Sequence, residues 1–262
     1  MPAPMLRPRA RWCLSALMLL LAACSSAPPA PSAAALLDDA RQLIVVTSAD
    51  WDAPGARLQR FERNDGGRWR QVGAEVPVML GRGGSAWGLG LHPPQAQGPQ
   101  KREGDGRAPA GIFAIGPAFG YAATGIGALP YLPMQASHYC IDVPASPLYN
   151  RIVDARDVGE AAVEGSTEPM RLDLHKEGDI RYRRGFVIEH NAGGVPGHGS
   201  CIFAHLLRRA DETTAGCTAM DAAVLDAVLQ WLDPARTPRF VLLPDAEYAR
   251  LAASWRLPAL RP

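Results

Sequence analysis

Short, branched apolar runs punctuated by glycine and proline constrain this chain most. "QLIVVTS" (42–48), "VPVMLG", "GIFAIG", "YNRIVD", "FVIEHN", "CIFAHL" and "RFVLLP" are each six or seven residues long, and Gly or Pro lies between most of them. Runs of that length with that punctuation read as strands, because a helix needs ten or more residues without a breaker. "RLQRFERNDGGRWRQVG" adds two segments around an Asn-Asp-Gly-Gly turn, the pattern of a hairpin. One segment obeys a different period. In "MDAAVLDAVLQWLDP", Leu225, Val228, Leu229 and Leu232 recur at helical spacing, and Pro234 ends the pattern. A weaker helical pattern places Tyr248, Leu251 and Trp255 on one face after Asp245. The expected fold class is therefore mainly β (α+β), with one packed amphipathic helix.

The start of the chain has another character. Arg7, Arg9 and Arg11 precede the apolar stretch 13–21, which the small residues Ala22 and Ala23 close. That is the layout of a secretory signal, too short to span a bilayer, which takes roughly 20 apolar residues. Leu21-Ala22-Ala23-Cys24 resembles the bacterial lipobox, which implies lipidation of Cys24 and a chain held on the periplasmic face of a bacterial envelope membrane. The Ser/Pro/Ala-rich run that follows reads as an extended tether. The expected organisation is a signal over 1–23, a lipidated cysteine and tether over 24–41, one domain over 42–246, and a helical tail over 247–262. Without the signal, 24 basic residues face 26 acidic ones. No basic patch interleaves with aromatics, so nucleic acid is not an expected partner. A monomer is expected.

Five cysteines become three once Cys13 is removed and Cys24 is lipidated: Cys140, Cys201 and Cys217. In an oxidising compartment an odd number implies one bridge and one free thiol. Cys140 and Cys201 each precede an apolar residue in a strand-like segment, so they are the expected pair, provided that their Cα atoms come within about 7 Å.

"SCIFAHLLRRADETTAGCTAMD" (200–221) carries the densest chemistry. Alternation puts Cys201, Phe203 and His205 on one strand face. Thr218 and Asp221 have the spacing of a capping box, which would set Cys217 immediately before the helix, where the helix start lowers a thiol pKa. Gly216 allows a tight turn, and its amide would be an oxyanion donor. A histidine beside such a thiol serves as general acid and base. From the residues alone the commoner reading of such a pair is a small buried hydrophobe and a satisfied core histidine.

Thr214-Ala215-Gly216-Cys217, with His205 upstream, resembles the signature of the L,D-transpeptidase catalytic (YkuD-type) domain. "KREGDGRAPAGIF" (101–113) and "GRGGSAWG" (81–88) resemble segments ahead of it in that family. The resemblance covers about 42–244. It implies a β-sandwich-like catalytic domain, Cys217 as nucleophile and His205 as base. It also implies peptidoglycan stem peptides as partners, acyl transfer from a diamino acid–D-Ala bond to an amine or water, and no metal or cofactor. Ala215 stands where the family often has His, and Ala219 where an arginine is common, so Arg208 and Arg209 are the expected replacement cations, with Thr214 as a further substrate contact. The loop 193–200 reads as a connection between strands, "GDGRAPAG" as a turn leading into a strand, and His190 as a strand end. A zinc peptidase built on His190, His198, His205 and a cysteine is disfavoured, since no tight ligand pair is present. A wall-binding lipoprotein without turnover is the alternative from another class.

Overall fold

A computed structural model describes Met1 and residues 33–64 and 67–260. The signal, the lipobox cysteine Cys24 and most of the tether lie outside the described residues. Among these residues the strands are β1 (Gln42–Ser48), β2 (Gly55–Glu62), β3 (Arg70–Met79), β4 (Ser85–Trp87), β5 (Ala108–Gly120), β6 (Tyr131–Pro133) and β7 (His138–Cys140). β8 (Ile152–Asp154), β9 (Glu168–Pro169), β10 (Arg184–Ile188), β11 (Phe203–Leu206), β12 (Thr218–Met220) and β13 (Arg239–Pro244) follow. The helices are α1 (Ala33–Asp38), α2 (Ala155–Val158), α3 (Leu172–His175), α4 (Ala222–Trp231) and α5 (Asp245–Leu251). No helix of the described residues is long and apolar enough to cross a membrane.

The main sheet runs β10-β11-β12-β3-β2-β1-β13-β5, and β5 also pairs with β10. Eight strands thus close into a barrel rather than the expected sandwich. Closure pairs each of these eight strands on both sides, while β4 and β6 pair with β5 alone. The fold is mainly β with few helices, as the apolar runs imply. "VPVMLG" is not a separate strand, because β3 continues through Gly73 at φ +74 and carries Val76 to Met79.

Strand β1 is buried at every position, which half-buried alternation would not produce. One face meets the barrel interior and the other is covered, with α5 against β1 and β13. Leu225, Val228 and Leu229 of α4 enter the same core, and Leu232 joins them at its cap. Two expected boundaries move. Leu37 and Ala40 are in the main core, so the tether ends before α1. Tyr248, Leu251 and Trp255 are core residues too, so the C-terminal segment is part of the domain rather than a tail.

A second cluster lies on the outer face of the barrel wall. Along β11, Ala204 and Leu206 belong to the interior core, while Phe203 belongs to the outer cluster with Phe119, Tyr182, Cys140, Cys201 and Cys217. The small sheet β8-β7-β9 supplies Cys140 to this cluster. The Cys140–Cys201 disulfide, with Cα atoms 5.9 Å apart, ties that sheet to the wall.

Candidate functional site

Cys217 is placed by a strand, not by a helix. Thr218 to Met220 form β12, parallel to β11 with Ala204 opposite Thr218 and His205 opposite Ala219. α4 begins at Ala222, five residues beyond Cys217, after Asp221, whose side chain makes no capping bond. The expected capping box is therefore absent, and so is the helix-start field that would lower the thiol pKa. Burial instead pushes the Cys217 thiol up to about 12, and the nearby Glu168 charge adds to the rise. At neutral pH the resting side chain is a protonated thiol.

The turn before it is tightly specified. Thr214 Oγ1 accepts the Gly216 N–H at 3.0 Å and donates to the Cys217 carbonyl at 2.7 Å. Gly216 has φ +154, and a Cβ there would come within 3.0 Å of the Arg107 carbonyl oxygen. Glycine is required at that position by conformation and by space. The same bond occupies the Gly216 amide, so it is not the expected oxyanion donor, and Thr214 is chiefly a staple of the turn.

The thiol has two backbone partners. Sγ accepts the Phe203 N–H at 3.3 Å and donates to the Cys201 carbonyl at 3.6 Å. Cys201 itself is not in the strand, as alternation implies, but stands just before it at φ +57, with its N–H donated to Asn150 Oδ1 at 2.8 Å. Cys217 is the one free cysteine among the described residues.

His205 and Cys217 line the same cavity, of about 440 Å³, but His205 is not among the thiol's hydrogen-bond partners. His205 is 2% exposed, its Nδ1 lies 2.8 Å from the Leu206 carbonyl, and burial lowers its pKa to about 4. Only an N–H can satisfy that carbonyl, so the proton is on Nδ1 and Nε2 is left as a lone-pair acceptor. A backbone carbonyl therefore orients the ring. His190 is different: Nδ1 accepts the Leu89 N–H at 3.2 Å and Nε2 meets the His198 carbonyl at 2.9 Å. Both of its nitrogens are occupied by structure.

The cavity's charges come partly from the family-like segments 81–88 and 101–113 and partly from Asp142, Glu168, Lys176 and Arg181, which local reading passed over. Arg82, Lys101, Lys176 and Arg181 line it together with Glu103, Asp142 and Glu168. Arg208 and Arg209, the expected cations, are not among its lining residues. Arg208 is bound by Glu212 and lies 3.6 Å from Asp179, and Arg209 also leans on Glu212. Arg181 is fixed by a two-pronged bond to Asp179. Lys101 pairs with Asp105 at 2.5 Å. Asp105 also accepts the Arg102 and Arg107 amides, which makes "GDGRAPAG" the turn into β5. Glu103 accepts from Ser200 at 2.7 Å and from Tyr149, and its N–H reaches the Gly197 carbonyl at 2.9 Å, so the 193–200 loop is pinned rather than free.

No protein-family model, curated protein or solved structure matches this chain. No group of three or more His, Cys, Asp or Glu that could hold a metal occurs among the described residues.

Two residues of the site carry no local signal. Tyr182 is in the 3-10 turn Arg181–Arg183 before β10, and Glu168 is in the two-residue strand β9. The Tyr182 hydroxyl interacts with both the Glu168 carboxyl and the Cys217 thiol. Glu168 keeps part of its surface toward the cavity, yet its carboxyl is enclosed and burial raises its pKa, opposed by the Tyr182 hydrogen bond and by Lys176. A run such as "STEPMR" gives no periodicity or spacing from which that role could be read.

Proposed function

We propose that the chain is a cysteine acyltransferase of the L,D-transpeptidase kind, acting on peptidoglycan stem peptides. The observation that carries this reading is the division of labour among the sulfurs. Two cysteines are joined in a bridge, and the third is kept as a thiol lining a charged cavity with a neutral histidine. The resemblance of Thr214–Cys217 and His205 to the family signature names the substrate class: a diamino acid–D-Ala bond in a tetrapeptide stem.

In this reading Sγ attacks the carbonyl carbon while its proton leaves for a base. That base is His205, neutral at physiological pH with Nε2 available, which takes the thiol proton and then gives it to the departing amine of D-Ala. The thioacyl group then passes to an amine, giving a 3→3 cross-link, or to water, giving a carboxypeptidase. With the Gly216 amide engaged, developing negative charge is met by Arg181, whose charge already bears on the thiol. The chain works without a cofactor. It is a monomer held by a lipid on Cys24 at the periplasmic face of the envelope.

A second reading, wall binding without turnover, is favoured by one observation: the thiol is only 7% exposed and is held protonated. Incubation with defined tetrapeptide muropeptides separates the two by mass. Loss of D-Ala, with or without 3→3 dimers, supports the enzyme; binding with unchanged masses supports the alternative.

A further inference from the structure

Three segments far apart in the chain converge on one phenol. The Tyr182 ring stands edge-on to Phe203 at 5.4 Å, to His205 at 5.4 Å and to Phe119 at 5.7 Å, so its position is fixed by packing on the barrel wall. Tyr182, Cys217 and Glu168 line the same cavity, and the Tyr182 hydroxyl bears on both acidic groups. Glu168 is the register partner of Cys140 across β7 and β9, and Cys140 is bonded to Cys201, whose carbonyl accepts from the thiol. The Glu168 backbone and the Cys217 sulfur are thus linked in series by a strand pairing, a disulfide and a hydrogen bond. A phenol has a single O–H and donates it to one acceptor at a time.

We propose that Tyr182 is a catalytic residue that donates its hydrogen bond to the Cys217 sulfur as the sulfur takes up charge, and that Glu168 is a positioning residue that competes for this proton and restrains the thiol. This rests on the reading of Cys217 as a nucleophile. A charged Glu168 holds the hydroxyl away from the sulfur and opposes a second negative charge in the cavity, which keeps the thiol protonated. Lys176, Asp142 and Arg181 are the other charges bearing on Glu168, and Arg181 also bears on Cys217. The phenol is the hydroxyl through which the two acidic groups communicate.

The two side chains therefore act on the sulfur with opposite sign, which mere structural support would not do. The test is the rate of iodoacetamide alkylation of Cys217 in the intact chain, read on the Cys217 peptide between pH 6 and 9. Tyr182→Phe should slow alkylation roughly tenfold at each pH, the effect of raising a thiol pKa by one. Glu168→Gln should speed it several-fold, while Glu168→Asp, which keeps the charge, should stay within twofold of the parent rate. Unfolding would also speed alkylation, so rates are taken below each variant's measured unfolding midpoint. An accelerated Glu168→Asp then marks lost packing and overturns the proposal. Changes of the same sign in Tyr182→Phe and Glu168→Gln, or none, overturn it too. Opposite signs in a chain that leaves muropeptides unchanged would uphold the pair and refute the transpeptidase reading. Turnover with parental alkylation rates in both variants would do the reverse.

Discussion

The carbonyl oxygen of Cys201 accepts the S–H of Cys217 at 3.6 Å, while the sulfur of Cys201 is bonded to Cys140. One residue therefore joins the structural bridge to the free thiol. The bridge spans 61 residues. Closing a loop of that length removes about 4 kcal/mol of chain entropy from the unfolded state. Cys140→Ser, or reduction, should lower the unfolding free energy by that order in urea titrations. It should also speed Cys217 alkylation, because the small sheet is no longer held over the thiol. An unchanged urea midpoint would mean that packing alone holds the sheet.

Replacing the proposed nucleophile should separate chemistry from fold. In Cys217→Ala the Phe203 N–H loses its acceptor in a buried place, a cost of about 1–2 kcal/mol. The chain should remain folded by circular dichroism while D-Ala release falls to the uncatalysed background. Full turnover in this variant would remove Cys217 from the mechanism.

The thiol's titration is open to direct measurement. Because burial holds its pKa near 12, the thiolate fraction should rise about tenfold for each pH step between 6 and 9, and the alkylation rate with it. A plateau at neutral pH would indicate the ionised thiol that a helix start would have produced.

Acid should weaken the fold through three histidines. Burial lowers His92, His190 and His205 to about 4 from 6.5, so each is neutral in the folded chain and takes up a proton on unfolding below 6.5. Their contribution is complete above pH 6.5 and is lost as pH falls toward 4, at up to about 1.4 kcal/mol per pH unit for each. Urea midpoints should fall across that window, and a flat profile would contradict buried neutral rings. The variants should divide by role. His190→Ala, which strips two hydrogen bonds, should lower stability and keep turnover within several-fold. His205→Ala should lose most of the acylation rate.

What the sequence determined by itself is local. The branched runs of β1 and β13 and the 3.6-residue stripe of α4 form where their periodicity places them, because period and breaker residues act over a few neighbours. The fate of Thr218–Met220 was decided elsewhere. Its spacing to Asp221 suits a cap, but pairing with β11 on one side and Met79 on the other makes it a strand, since tertiary hydrogen bonds outweigh a cap worth about 1 kcal/mol. Closure of the barrel by β5 and β10 likewise depends on strands more than sixty residues apart in the chain. The cysteines' chemistry was also legible only in part. Their number implied one bridge and one thiol, but which sulfurs come within bonding reach is a matter of tertiary proximity. The thiol's environment was settled in the same way: Glu168 and Tyr182 come from separate segments, and it is burial beside them, with no local sequence mark, that keeps Cys217 protonated.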